Sequence, residues 1–219
     1  ECVASCVDIL KELKVPAEIY ANNRRLLAGI IQSVEIGSVA EAMRELDKID
    51  KIGSDQVKIN LRKYASTNQI VTLFKLFEKD IDFFRDNAFE GVDILDSFIR
   101  LCKIYGFKVN FDPFLARGLA YYTGIVFEVQ DRDGKLRSIA GGGRYDNLIG
   151  TYGGESMPAT GFGMGDKVLS IFLAEKGLTP VLQLGPDVYV APVDEKVYPE
   201  ALNCAHELRN SGVRCDIDL

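Results

Sequence analysis

The sequence predicts an α+β fold, in which an antiparallel sheet is interrupted by a long helical segment and followed by a short β-α-β unit. Three observations support this class. Gly124 to Gln130 is rich in β-branched and aromatic residues and precedes a turn signal at Asp131 to Gly134, which is typical of an antiparallel hairpin. Residues 23–106 carry apolar side chains at helical spacing. Residues 187–219 predict a strand, a helix and a second strand.

The composition of the chain indicates the size of its core, the character of its surface and the state of its cysteines. A chain of 219 residues with 47% hydrophobic content can bury one large core or two small ones. The net charge of −6 argues against a broadly basic surface for nucleic acid. No segment resembles a signal peptide or an apolar run of transmembrane length, so we expect a soluble protein. Cysteines without CxxC spacing and a single histidine, His206, predict buried, inert thiols in a reducing compartment and no metal site. These cysteines are Cys2, Cys6, Cys102, Cys204 and Cys215.

The first half of the chain is predicted to be mostly helical. A helix from Cys2 to Leu13 and a strand from Ala17 to Ala21 come first. Further helices are expected over Arg24 to Val34, Ser38 to Gly53, Gln56 to Tyr64, Ile70 to Phe77 and Asp93 to Tyr105. In the last of these, we expect five residues to face inward: Ile94, Leu95, Phe98, Leu101 and Cys102.

Two arginines open the helix that follows Asn22 and Asn23, either of which is a suitable N-cap. Arg24 and Arg25 could contact RNA or ATP. Because arginines in a first helical turn are more often solvated, we expect both to be exposed.

The second half contains the predicted sheet. Phe107 to Pro113 alternates like a strand, and the hairpin should return over Lys135 to Ile139 and then open into three glycines, Gly141 to Gly143. A glycine-rich loop is expected over Gly150 to Met157. Thr160 to Met164 is a predicted strand with alternating glycines, and a helix should run from Asp166 to about Glu175.

Polar and aromatic residues flank this hairpin at close spacing. They comprise two guanidinium groups, three phenols and a carboxylate within about thirty residues. Arginine offers a fixed fork of donors to phosphate oxygens, and tyrosine supplies a flat wall with a polar end. The set therefore suits a small polar substrate together with a phosphate; its members are Arg117, Tyr121, Tyr122, Arg144, Tyr145 and Asp146.

Three motifs in this region resemble those of a known family. RGLAYYTGIVFE and AGGGRYD resemble the two signature motifs of histidyl-tRNA synthetases, and GFGMGDKVL resembles motif 3 of class II synthetases. VPAEIYANNRRLLAGI and LDKIDKIG are similar to the segment that enters the helical insertion of these enzymes. The last 33 or so residues resemble the first β-α-β unit of their anticodon-binding domain. The resemblance implies a catalytic core (1–22 and 107–177), a helical insertion (23–106), a linker (178–186) and the start of an anticodon-binding domain (187–219).

The resemblance also implies roles. ATP would activate histidine as histidyl-adenylate, which then charges tRNA(His), and Mg²⁺ is expected with the ATP. Arg117 would be the catalytic group at the α-phosphate and an ATP contact. The histidine pocket would comprise Tyr121, Tyr122, Gly142 and Tyr145, and ATP would lie against Gly161, Gly163 and Gly165. A homodimer is expected for the full-length enzyme, in the cytoplasm or in an organelle.

The chain departs from the family pattern at two places. Ala120 stands where many members have Asp, and Asp166, Lys167 and Val168 occupy the region where motif 3 usually ends in an ATP-binding Arg. Lys167 is a candidate replacement, although a solvated lysine at a helix start is the commoner case. Motifs 1 and 2 are not found, so we expect a synthetase fragment that is inactive alone.

Two other classes of protein share the catalytic core of these synthetases. One is the catalytically silent regulatory subunit of ATP phosphoribosyltransferase, which typically lacks the anticodon-binding domain and has eroded motifs. The other is the synthetase-like module of a stress-sensing kinase, where erosion is also expected. Nearly complete motifs favour the ligase.

Overall fold

The computed structural model describes residues 1–131, 138–180 and 185–218. The chain divides into two compact units, Glu1–Leu178 and Thr179–Leu219. Within the described residues, no helix is long and apolar enough to cross a membrane.

The larger unit is built on a five-stranded sheet in the order β2-β1-β3-β4-β5. Its strands are β1 (Ala17–Asn23), β2 (Asn110–Phe111), β3 (Ile125–Asp131), β4 (Ala140–Tyr145) and β5 (Ala159–Met164). All neighbouring pairs are antiparallel except β1 and β2, which are parallel. A parallel pair requires a long crossover, and here the helical segment supplies it. The α+β prediction with a mainly antiparallel sheet is confirmed.

Ten α-helices belong to the described part of this unit. Seven of them form the crossover between β1 and β2. In chain order the helices are α1 (Cys2–Glu12), α2 (Arg24–Ser33), α3 (Val39–Leu46), α4 (Ile49–Ile52), α5 (Ser54–Leu61), α6 (Thr67–Phe77), α7 (Ile81–Asp86), α8 (Val92–Ile104), α9 (Leu148–Thr151) and α10 (Asp166–Glu175).

Local sequence explains where several helices begin. Asn23 caps α2 by accepting a hydrogen bond from the backbone N–H of Arg25. Ser66 and Gln69 form a reciprocal capping box at the start of α6. Asp80 accepts from Phe83 N–H and so starts α7, a helix that the apolar spacing did not predict.

The crossover helices and one face of the sheet share a single apolar core. Side chains from α1, α2, α5, α6 and α8 join Ile19, Phe127 and Val129 in one buried cluster. The predicted inner stripe of α2 is confirmed, since its four apolar residues are fully buried. Burial of a large aliphatic side chain contributes about 1.5–3 kcal/mol, so this shared core fixes the helices against the sheet. The stripe consists of Leu26, Leu27, Ile30 and Ile31.

Several boundaries differ from the prediction. The helix expected over Ser38 to Gly53 is two helices, α3 and α4, and the strand expected over Phe107 to Pro113 has only two residues. The loop expected from Gly150 begins inside α9. In α8, Leu95 and Cys102 are buried as expected, but Ile94 and Leu101 are 46% and 52% exposed. Helical spacing gives the stripe, and only the packing decides how wide it is.

The cysteine prediction is correct for two positions. Cys6 and Cys102 are buried, and burial raises the pKa of each thiol to about 11. Cys204 is exposed, and Cys2 and Cys215 are partly exposed, so inertness through burial does not extend to them.

The hairpin returns through the glycines themselves. The predicted turn and most of Lys135 to Ile139 lie outside the described residues, and Ile139 precedes the strand, with its N–H donating to Val129. The three glycines are the centre of β4 and pair with both β3 and β5. They were expected to follow the strand, but they form its interior.

The smaller unit has two parallel strands, β6 (Val188–Val190) and β7 (Cys215–Ile217), joined by α11 (Tyr198–Asn210). Asp194 caps the short 3₁₀ turn that precedes α11. An ion pair of 2.6 Å joins Arg214 to Asp187 next to the paired strands.

Candidate functional site

The two faces of the sheet differ in what covers them. Strand register places Gly141 opposite Glu128 and Gly163, and Gly143 opposite Val126 and Gly161. Because side chains alternate along a strand, these residues share one face. The other face carries Phe127, Val129 and Phe162 into the main core. The functional candidates therefore cluster on the face turned away from that core.

Arg117 reaches this face from the loop between β2 and β3. Its guanidinium lies over Gly141, so that a Cβ at position 141 would overlap it. Its Nη1 is 3.6 Å from Glu128 Oε2, and the two side chains are only 21% and 18% exposed. Arg117 itself has a φ of 53°, in the left-handed region that is costly for a residue with a Cβ.

The end of β1 holds the backbone of the Arg117 loop. Buried Asn22 donates through Nδ2 to the carbonyls of Pro113, at 3.1 Å, and Leu115, at 3.2 Å. Arg24 donates through Nη1 to the carbonyls of Ala116, at 2.9 Å, and Arg117, at 3.2 Å. The expectation that Arg24 is solvated is therefore wrong, whereas Arg25 is exposed beside Glu90.

Three tyrosines form an aromatic cluster beside Arg117. The ring centroids of Tyr121 and Tyr122 are 4.6 Å apart, and that of Tyr145 is 5.4 Å from Tyr121. Tyr122 is only 5% exposed and its ring lies against Gly143. Burial, followed by a hydrogen bond with Tyr121, raises the pKa of Tyr122 to about 12. Tyr121 and Tyr145 are partly exposed.

The glycines of this face are covered to different degrees. Arg117 covers Gly141, the Tyr122 ring covers Gly143, and the Tyr145 hydroxyl lies over Gly161. Gly163 has open space where a Cβ would stand.

Of the two remaining glycines predicted in the site, Gly165 lines the cleft described below and Gly142 does not. Gly142 faces the core side of the sheet, against the backbone of Gly161 and the side chain of Phe162. Gly165 lies after β5 as the N-cap of α10, and its N–H donates to the carbonyl of Ile139. Gly142 can offer a ligand on the site face only backbone atoms.

A cleft of about 1020 Å³ opens beside Arg117. Its walls come from α4 and the segment before it, from the loop between β2 and β3, from β3 to β5, and from the start of α10. Its size is at the upper end of the usual range for small-molecule sites. Its charged lining is four carboxylates and two cations: Asp47, Asp50, Asp112, Glu128, Lys51 and Arg117.

Asp112 is a partly buried carboxylate of this lining. Burial raises the pKa of Asp112, and the backbone N–H of Phe114 opposes the rise by donating to the carboxylate. Gly141 and Gly163 lie on the floor of the same cleft, while the three tyrosines lie outside its walls. The site thus has two adjoining parts, a charged cleft and an aromatic cluster.

The polar groups at the rim are paired with one another. Arg144 Nε donates to Asp146 at 2.8 Å, and the Thr123 hydroxyl donates to the same carboxylate at 2.8 Å. The hydrogen bond from Thr123, and then that from Arg144, lower the pKa of Asp146. Lys167 is exposed and does not line the cleft.

Alternative sites would be another depression or a cluster of metal ligands. A depression of about 830 Å³ at α7 and α8 has its Arg85 paired with Asp82 and Asp96. In the residues that the structure describes, no group of three or more His, Cys, Asp or Glu side chains could hold a metal ion.

A family model described as histidyl-tRNA synthetase matches residues 3–169. The chain belongs to the histidyl-tRNA synthetase family. A chloroplastic/mitochondrial histidine–tRNA ligase of Arabidopsis thaliana is 35% identical over 231 residues, covering 100% of this chain and 48% of that relative. The histidine–tRNA ligase of Pyrococcus furiosus is 36% identical, covering 81% of this chain and 44% of the relative.

Solved structures agree with this family. Histidyl-tRNA synthetase from Nostoc sp. PCC 7120 superposes with a TM-score of 0.77 at 28% identity, covering 99% of this chain and 56% of that one. An ATP phosphoribosyltransferase regulatory subunit/histidyl-tRNA synthetase from Bacillus halodurans superposes at 0.67 with 19% identity, which shows the fold alone. The chain spans about half the length of the curated relatives that it matches.

Among the residues at the site or behind it that sequence reasoning did not assign there are Asn22, Arg24 and Asp112. Polar residues at the end of a strand, directly before a helix, were the available signal for the first two. Their contacts are more than ninety residues away in the chain, so no local pattern could show them.

Proposed function

We propose that the full-length protein containing this chain is a histidine–tRNA ligase, which activates histidine with ATP and transfers it to tRNA(His). Membership of the family and the placement of Arg117 over the cleft support the proposal. The observation that carries it is the packing of the Arg117 guanidinium on Gly141, beside both the cleft and the tyrosines.

Arg117 is proposed to stabilise the transition state of the first step. The histidine carboxylate attacks the α-phosphate of ATP, a P–O bond forms, and the bond to pyrophosphate breaks. Negative charge grows on the α-phosphate oxygens, and a prepositioned cation lowers the energy of that state. Partial burial strengthens the interaction, because few water molecules screen the charge.

ATP is proposed to lie against Gly161, Gly163 and Gly165, with its phosphates towards Arg117. The open space above Gly163 supports this placement, since a side chain there would fill part of the cleft floor. The lining has more carboxylates than cations, which favours a nucleotide whose charge is partly neutralised. Mg²⁺ supplies that neutralisation when bound to the phosphates, and carboxylates such as Glu128 and Asp112 are ligands of the type that it accepts.

Histidine is proposed to bind at the aromatic cluster. Tyr121 and Tyr145 present partly exposed phenols that can hydrogen-bond an imidazole nitrogen. Tyr122 is buried, so its contribution is to fix Tyr121. Gly142 is proposed to contribute backbone only, because the position of a Cβ at this residue is on the core side of the sheet.

The chain by itself is proposed to be inactive. It spans about half the length of its curated relatives. Within the described sheet β5 pairs only with β4, so we expect other parts of the longer enzyme to complete the catalytic core. We also propose that the longer enzyme is a homodimer in the cytoplasm or an organelle, that the crossover helices approach tRNA, and that residues 187–219 begin an anticodon-binding domain.

The test is histidine-dependent ATP–pyrophosphate exchange by the full-length protein, with Arg117→Ala beside it. Exchange that falls by at least about a hundredfold in Arg117→Ala supports the ligase. Histidine binding without any exchange in the full-length protein would instead assign it to the silent regulatory class, whose fold is the same.

A further inference from the structure

Arg24 contacts the loop that carries the catalytic arginine, although it is part of another element. It is the first residue of α2, directly after the N-cap Asn23, and its side chain points back towards the sheet loop. The Nη1 atom bridges two consecutive carbonyls, those of Ala116 and Arg117. The Nη2 atom lies 3.6 Å from Met43 Sδ on α3.

The backbone of Arg117 has a strained conformation that its surroundings must hold in place. Residue 117 has a left-handed φ of 53°, which persists only where the surroundings impose it. The two hydrogen bonds from Arg24 orient the two peptide groups that flank the Arg117 Cα. They thereby fix the direction in which the Arg117 side chain leaves the backbone, towards Gly141 and Glu128.

The charged guanidinium of Arg24 is partly buried, and this burial disfavours its charged form. Burial lowers the pKa of Arg24, and the nearby Asp47 carboxylate opposes the lowering. A partly buried guanidinium is retained only where it is well hydrogen-bonded. Asp47 also lies close to Gly118, directly after Arg117, so a second side chain from the helical crossover is near this loop.

We infer that Arg24 is a positioning residue, which holds the Arg117 loop in the conformation needed for adenylate formation and so couples the first crossover helix to the catalytic arginine. The inference depends on the proposed function, because it assigns Arg24 a role through Arg117. Arg24 itself does not line the cleft.

The test compares five variants of the full-length enzyme in histidine-dependent ATP–pyrophosphate exchange: Arg24→Ala, Arg24→Lys, Arg25→Ala, Arg117→Ala and the double variant Arg24→Ala/Arg117→Ala. Arg25 is the matched control, since it is the next residue of the same helix and its side chain is 52% exposed, with Glu90 at 3.7 Å. Arg24→Ala should lower kcat at least about tenfold while the KM for histidine changes less than about threefold. Arg24→Lys, which keeps one charged donor group, should recover part of the loss.

The double variant separates positioning from general stability. If Arg24 acts through Arg117, its removal has no further effect once Arg117 is absent, so the double variant should equal Arg117→Ala. Independent, multiplied losses would overturn the inference, as would wild-type kcat in Arg24→Ala or an equal loss in Arg25→Ala. If Arg117→Ala keeps full exchange, the proposed function is wrong. If Arg117→Ala loses exchange but Arg24→Ala does not, only the positioning role of Arg24 is wrong.

Discussion

The guanidinium of Arg117 occupies the space above Gly141 in which any other residue would place its Cβ. Gly141 sits in the middle of β4, paired with Glu128 on one side and Gly163 on the other. The glycine is therefore required by the packing of an arginine on a strand. This relationship makes the site sensitive to changes of a single methyl group.

Gly141→Ala should displace Arg117. If Arg117 is the proposed catalytic cation, the kcat of histidine-dependent exchange by the full-length protein should fall by roughly a hundredfold, because small displacements of such a group are costly. Exchange kinetics measure the loss. Gly37→Ala is the control, since Gly37 is exposed and has open space at its Cβ position. Unchanged kcat in Gly141→Ala would show that Arg117 tolerates a shift.

Gly163→Ala should weaken nucleotide binding without changing the stability of the fold. Nothing lies within 4 Å of the added methyl group, so the melting temperature is expected to stay within a few degrees of the wild type. If ATP lies against this glycine, the KM for ATP should rise at least about tenfold while that for histidine is unchanged. An unchanged KM for ATP would place the nucleotide elsewhere.

If histidine binds at the aromatic cluster as proposed, Tyr121→Phe should raise the KM for histidine at least about tenfold, because a hydrogen-bonding group for the imidazole is lost. Tyr122→Phe should have a smaller effect, since Tyr122 is buried and reaches the pocket only through Tyr121. Steady-state kinetics on both variants and on the double variant test this order. A larger effect at Tyr122 would reverse the two roles.

Tyr122 should make stability depend on alkaline pH. Its pKa in the folded protein is raised to about 12 from the ordinary value of 10.0, so folding favours the neutral phenol. The stabilisation is complete below the unfolded pKa and is lost as pH rises through the folded one, at about 1.4 kcal/mol per pH unit between them. The pH dependence of thermal unfolding should be shallower in Tyr122→Phe. Parallel curves for the two proteins would contradict this prediction.

Asn22→Ala should destabilise the full-length protein by about 2–3 kcal/mol, because two buried carbonyls, those of Pro113 and Leu115, lose their donor. Denaturant unfolding measures the change. Asn87→Ala is the control: Asn87 is exposed and donates only to Phe83 within its own helix, so its loss should cost less than about 0.5 kcal/mol. Equal effects of the two substitutions would show that the Asn22 bridge adds little.

Local pattern was sufficient for much of the fold and for proposing site residues. The alternation in β3, the Asn23 cap and the inner stripe of α2 follow from period and capping chemistry, which depend only on near neighbours. The family motifs indicated Arg117 and the tyrosines before any geometry was known, and membership of the family is confirmed.

The packing between distant segments decided the rest. Register places Gly141 and Gly143 on the site face and Gly142 on the core face, a choice that three identical residues cannot encode. Ile94 and Leu101 fit a buried stripe, yet they remain exposed because no described element covers that side of α8. Arg24 resembles a solvated helix-start residue, and only its contacts with residues 116 and 117 reveal otherwise. The sequence by itself determined the types of element and the chemistry available, because both depend on local residues. Which side chains meet was decided by tertiary structure, since those contacts join segments about ninety positions apart.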